Sequence, residues 1–141
     1  MKADALTAKD VAAVVEKLTG AYKARKLDEM LACFAFDEDT VLIGTGADEK
    51  RIGPAQIRAQ AERDWAQTES VEMDVAWRPV SAAGGVAWIF GDGAFRIRAG
   101  GQAMALPVRV SMVLEKRGGK WLVVHAHFST PMAGQGEGRS V

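Results

Sequence analysis

The most regular stretch of the chain runs from Lys120 to Pro131. Leu122, Val124, Ala126 and Phe128 alternate with Trp121, Val123, His125, His127 and Ser129. A period of two predicts a strand, with one apolar face and one amphipathic face that carries both histidines. The same alternation appears three times upstream. Val71, Met73, Val75 and Trp77 form one row, Val86 to Arg98 a second strand, and Ala103 to Arg117 a third. In the last of these Val108, Val110, Met112 and Leu114 make an apolar row of their own.

The first half of the chain follows the helical period instead. Val11, Val14, Val15, Leu18 and Tyr22 recur on one side of a helix over residues 8 to 25, with Thr7 as N-cap and an acid three residues on at Asp10. A shorter helix starts at Asp28 and turns Met30, Leu31, Phe34 and Cys33 inward; Asp37-Glu38-Asp39 ends it. Thr40 to Ile43 reads as a short strand and Ala47 to Ile52 as a polar loop. Gly53-Pro54 opens a third helix to Gln67, with Pro in the first turn where its missing N–H costs nothing. Its inward stripe is Ile57, Ala61 and Trp65, and Gln60 and Asp64 beside it suit either a pocket or water. Helices first and antiparallel strands later define an α+β class, with the helices on one face of the sheet. The expectation is a single domain over residues 1–141, with a core of about 8–131 and a flexible tail at 132–141.

Turn chemistry then sets the register. A two-residue turn at Gly100-Gly101 puts Asp92 opposite Arg109 and Phe90 opposite Ser111. A two-residue turn at Gly118-Gly119 mixes the faces of the last two strands, whereas a three-residue loop from Arg117 to Gly119 keeps the apolar row together. That loop predicts Met112 opposite Val124, Val110 opposite Ala126, Ser111 opposite His125 and Arg109 opposite His127.

Composition narrows the function classes. Lys plus Arg is 18 and Asp plus Glu is 18 in 141 residues, so no basic footprint for nucleic acid exists. One cysteine, Cys33, excludes an internal disulfide, and with no asparagine there is no N-glycosylation acceptor. Met1 to Asp10 lacks the apolar core of a signal peptide, and no apolar run approaches a membrane span. A cytoplasmic protein with neither membrane nor nucleic-acid partner is the expectation.

Three helices, a strongly bent sheet and the ending Lys120-Trp121-Leu122-Val123-Val124-His125-Ala126-His127-Phe128-Ser129-Thr130-Pro131 resemble the NTF2-like superfamily. Within it the chain is similar to SnoaL-like domains and to the association domain of calcium/calmodulin-dependent kinase II. Val86-Ala87-Trp88, and Arg109 two residues before Ser111, belong to the same resemblance, which covers residues 8 to 131. It implies a cone: three N-terminal helices on a mainly antiparallel bent sheet that encloses a pocket, with a dimer formed through the sheet. It implies little chemistry, because one fold hosts many activities.

The candidate residues follow from these faces. Tyr22, Trp65, Trp77, Met112 and Phe128 are the expected pocket lining, with no basic residue at its base. Trp88, Phe90, Asp92, Arg109, Ser111, His125 and His127, together with Val113, Trp121 and Val123, form the expected outer face. As an exposed patch this face is larger than a monomer usually tolerates, so a homodimer is expected to bury it. Two histidines two residues apart on a strand could share a metal, but no cysteine or carboxylate pair accompanies them, and an interface cluster is the preferred reading. No metal or cofactor is implied. The ketosteroid isomerase of the resembling superfamily carries its Asp base on the strand after the second helix; Thr40-Val41-Leu42-Ile43-Gly44 holds no acid, and only Tyr22 survives of that set. The kinase domain's pocket arginines fall at Met112 and Phe128. Function therefore reads as a homodimeric pocket protein for a small, largely apolar molecule. The alternatives are a SnoaL-like cyclase, isomerase or hydrolase using Tyr22, Asp64 or a histidine, and an oligomerisation module.

Overall fold

The computed structural model describes residues 1–141. Three helices, α1 (Ala5–Lys23), α2 (Leu27–Leu31) and α3 (Pro54–Gln67), cover one side of a seven-stranded sheet. The strands are β1 (Val41–Ile43), β2 (Lys50–Ile52), β3 (Ser70–Trp77), β4 (Ser81–Ala83), β5 (Val86–Ala99), β6 (Gln102–Arg117) and β7 (Lys120–Ser129). Their order is β2-β1-β7-β6-β5-β3, and β4 adds to the end of β5. All pairings are antiparallel except β1 with β7.

Asp4, rather than Thr7, caps α1: its carboxylate accepts the Thr7 N–H at 2.7 Å, so the helix starts three residues earlier than the apolar period indicates. Lys50–Ile52 is a strand rather than a loop, held on the edge by β1, and Ser81–Ala83 likewise pairs with β5. Three-residue edge strands are too short to show a period.

β6 has 16 residues and α1 has 19. Laid flat the strand would span about 50 Å and the helix about 28 Å, so the β5–β6 hairpin must bend to stay on the helices. β3 crowds β5 most closely at two glycines. A Cβ on Gly93 would come 2.0 Å from the Asp74 carbonyl oxygen, and one on Gly91 2.6 Å from Val75. Only glycine permits that approach.

The β6–β7 register corrects the expected one. Gly118 and Gly119 both have positive φ, 55° and 81°, and form a two-residue turn with Arg117 opposite Lys120. Gly100 and Gly101 do the same one hairpin earlier, at 56° and 76°, and there the expected pairs Asp92–Arg109 and Phe90–Ser111 are present. In β6–β7 the extra residue sits inside the strand instead of in the turn. A bulge at Val124 separates the Leu114–Val123 pair from the Val113–His125 pair. Met112 therefore faces Ala126, Val110 faces Phe128, Ser111 faces His127 and Arg109 faces Ser129. Each of these pairs is displaced by two residues from the three-residue-loop register, which leaves the faces of β6 unchanged.

On β7 the bulge inverts the faces before it. Trp121 and Val123 are buried with Ala126 and Phe128, whereas Leu122 and Val124 are half-buried on the outer side. Val123 also holds residues 33–35: its N–H donates to the Cys33 carbonyl at 2.8 Å, and its carbonyl accepts from Ala35 at 2.9 Å. One core runs through Val11, Val15, Leu18, Ile57, Val108, Val110, Met112, Leu114 and Val123.

Candidate ligand-binding site

α1 presents Val11, Val15, Leu18 and Tyr22 to the sheet, and α3 presents Ile57, Gln60, Ala61 and Asp64. Both sets follow the helical spacing of three and four, so the two polar residues of α3 stand on its inward stripe. Trp65 is displaced to the side of it. Between these helices and the far half of the sheet lies a cavity of about 210 Å³, with 14 of its 21 lining residues hydrophobic, hence a site for an apolar body. Val71 and Met73 of β3, Phe95 and Ile97 of β5, Leu106 and Met112 of β6 and Phe128 of β7 form its floor. Phe95 and Phe128 meet there with ring centroids 5.6 Å apart. The lining contains no lysine, arginine or histidine.

Three of the five expected lining residues, Tyr22, Met112 and Phe128, are in this cavity; Trp65 and Trp77 are not. Trp65 stands behind Tyr22, with ring centroids 5.9 Å apart, and its indole N–H donates to the Tyr22 carbonyl at 3.1 Å. Trp77 faces inward at the opposite end of β3 from Val71, where its ring lies across Gly91. Periodicity assigned both to the inner side, but Trp65 is turned off the stripe of α3 and Trp77 lies too far along β3.

The polar end of the cavity is built on Asp64. The Tyr22 hydroxyl donates to its Oδ2 at 2.8 Å and the Gln60 amide to its Oδ1 at 2.7 Å. Gln60 is 5 % exposed and also donates to Glu49 Oε1 at 3.2 Å, while its Oε1 accepts from Arg51 Nε at 2.7 Å. Arg63 closes the rim by donating to Glu49 and Asp48, each at 2.7 Å. Burial pushes the Asp64 carboxyl above the ordinary aspartate range, against the two hydrogen bonds it accepts. Burial, and then the negative charge of Asp64, pushes the Tyr22 phenol far up, so it stays protonated. Glu49 had no signal in the sequence, since it belongs to a turn brought against α3 only by the fold.

The outer face of the sheet is a set of rows. Trp88, Val113, His125 and Val41 are successive cross-strand partners, as are Phe90, Ser111, His127 and Ile43. Phe90 is 54 % exposed, His127 is exposed and His125 is half-buried. Trp121 and Val123, expected on this side, are in the core. Arg109 donates to the Thr130 carbonyl at 3.2 Å, and Asp92 pairs with Arg78 at 3.2 Å rather than with Arg109.

Helices closing the concave side of a strongly bent sheet over an apolar cavity define the NTF2-like class of α+β fold. The SnoaL-like domain model matches residues 11–133, and the chain belongs to that family. A nuclear transport factor 2-like superfamily protein from Salmonella enterica serovar Typhimurium LT2 is similar at 20% identity and TM-score 0.82, over 97% of this chain and 100% of that one. A candidate calcium/calmodulin-dependent kinase II association domain from Xanthomonas campestris is similar at 24% identity and TM-score 0.73, over 94% and 95%. A candidate dehydratase of the NTF2-like family from Streptomyces avermitilis is similar at 14% identity and TM-score 0.77, over 91% and 98%. At these identities the likeness concerns the fold. Among curated proteins none matches this sequence. No helix is long and apolar enough to cross a membrane.

Proposed function

We propose that the protein binds a small, largely apolar molecule in the cavity between α1, α3 and the sheet, and does so as a cytoplasmic homodimer joined through the outer sheet face. The cavity carries this reading. Its floor is aliphatic and aromatic, and its polar groups are gathered at one end, which is how a pocket fixes the orientation of an otherwise apolar ligand. The lining has no cation, which argues against small dicarboxylates, whose charges would lose water without gaining a charged partner.

Self-association rests on the outer face. Trp88, Phe90, Val113, Val41 and Ile43 surround Ser111, His125 and His127, so an apolar patch with polar groups inside it awaits a self-complementary surface. The likeness to an association domain from Xanthomonas campestris supports the same reading.

The test of the pocket is calorimetric titration with 2-naphthylmethanol, a neutral apolar probe with one hydroxyl. Saturable binding to the wild type is expected, and Leu106→Trp, which enlarges a half-buried side chain of the cavity floor into the cavity, should weaken it about tenfold or more. Equal binding by both proteins would place the probe elsewhere and overturn the reading.

A further inference from the structure

The cluster of Tyr22, Gln60 and Asp64 offers hydrogen-bond acceptors only; Thr45, Gln67 and Thr68 are separate polar members of the lining. The Tyr22 hydroxyl hydrogen is given to Asp64. Both amide hydrogens of Gln60 are given away, one to Asp64 and one to Glu49. Arg51 Nε, donating to Gln60 Oε1, fixes that amide in this orientation. What faces the cavity is the remaining lone pairs of Asp64 and of the Tyr22 oxygen. At Asp64 itself a ketone or a carboxylate would find no hydrogen to accept, whereas a ligand that brings its own hydrogens would find acceptors.

The charges point the same way. Arg63 and Arg51 lie against Asp48 and Glu49, with Arg63 at 2.7 Å from each acid and Arg51 at 3.7 Å from Asp48. Two cations thus answer two acids. Arg25 is spent on backbone carbonyls at the end of α3, donating to those of Trp65 and Thr68 at 2.7 Å each. Asp64 alone has only neutral partners. A half-buried carboxylate at the end of an apolar cavity, held by a hydroxyl and an amide, lacks one positive charge.

We propose that the natural ligand is an apolar body bearing one protonated amine, and that Asp64 is its counter-ion. The inference rests on the pocket reading above and adds the head group. The ammonium donates to both carboxylate oxygens and to the Tyr22 oxygen, while the hydrocarbon part lies on Met73, Phe95, Met112 and Phe128. Trp65, behind Tyr22, keeps the phenol aimed at Asp64.

The experiment compares three probes of one skeleton, 2-naphthylmethylammonium, 2-naphthylmethanol and 2-naphthoate, by calorimetry at pH 7. The ammonium should bind about tenfold or more tighter than the alcohol, and the naphthoate weakest. Asp64→Asn should bring the ammonium down to the affinity of the alcohol and leave the alcohol nearly unchanged. In the wild type the ammonium preference should fade as pH drops through the titration of Asp64. Around it, Tyr22 is held neutral by burial and by the charge of Asp64, and Arg63 is held charged by Asp48 and Glu49; Glu49 and Arg25 are the other charged groups nearby. An alcohol that binds as tightly as the ammonium, or an ammonium preference that survives Asp64→Asn, overturns this inference and spares the pocket. Failure of all three probes overturns both.

Discussion

At the scale of single residues, Asp64 decides most. A raised carboxyl pKa means that the folded protein holds this proton more tightly than the unfolded chain does. Its stabilising contribution is therefore fully present below the unfolded aspartate pKa, and is lost as pH rises through the higher folded one. At neutral pH the ionised carboxylate is a liability. Asp64→Asn keeps an acceptor for Gln60 and a partner for Tyr22 while removing the charge. Its chemical denaturation at pH 7 should show a gain on the order of 1 kcal/mol, and the gain should shrink as pH falls through the raised folded pKa of Asp64 and level off near the ordinary aspartate value of about 3.9. A variant less stable than the wild type at pH 7 would contradict the uncompensated charge. A group kept at such a cost is where function is expected. In the sequence Asp64 and Gln60 were visible only as polar residues beside an apolar stripe, which solvated residues also produce.

At the scale of elements, the bulge at Val124 sets what the last strand contributes. The apolar row of β6 demands one extra residue somewhere in the β6–β7 hairpin, and either a three-residue loop or a bulge supplies it. Two glycines in succession, each at positive φ, make the two-residue turn cheap, so the extra residue moves into the strand. Trp121 is then in the core at 5 % exposure, and Leu122 is outside it. Trp121→Ala should cost about 3–5 kcal/mol, and Leu122→Ala about 2 kcal/mol less than that. Urea unfolding of the two variants measures the difference; a larger loss from Leu122→Ala would restore the three-residue loop. The same bulge carries His125 and His127 to the side of β1 opposite Leu42, hence away from the cavity.

At the scale of the whole molecule, the sheet has two uses for its two faces: one closes over the cavity, and the other is left without a cover. In the proposed homodimer Phe90 lies in the middle of the outer face, between Ser111 on β6 and the Arg78 N–H bonded to its carbonyl at 2.9 Å. Phe90→Lys would bury a charge without a partner on both sides of the two-fold axis, and should weaken the dimer about tenfold or more. Arg139→Ala, in the exposed terminal segment, should not. Sedimentation velocity at micromolar concentration distinguishes these outcomes. A monomeric wild type, or a dimer indifferent to Phe90→Lys, would leave the outer face as ordinary surface.

The sequence by itself determined the α+β class, the three helices, the long strands, the inner row of β6 and the Gly100-Gly101 turn. Each of these rests on a local period or on glycine conformations, both written in adjacent residues. It also placed Tyr22, Met112 and Phe128 at the cavity. Only the tertiary structure decided the rest. Whether the additional residue of the last hairpin fell in the turn or the strand depended on the Gly118-Gly119 turn and on the hydrogen bonds of Val123 to Cys33 and Ala35 together. Whether Trp77 reached the cavity depended on position along its strand, to which a period is blind, and Trp65 was turned aside to stand behind Tyr22. The joining of Tyr22, Glu49, Gln60 and Asp64 into one hydrogen-bonded cluster depended on the meeting of α1, α3 and the turn before β2, segments that share no local pattern.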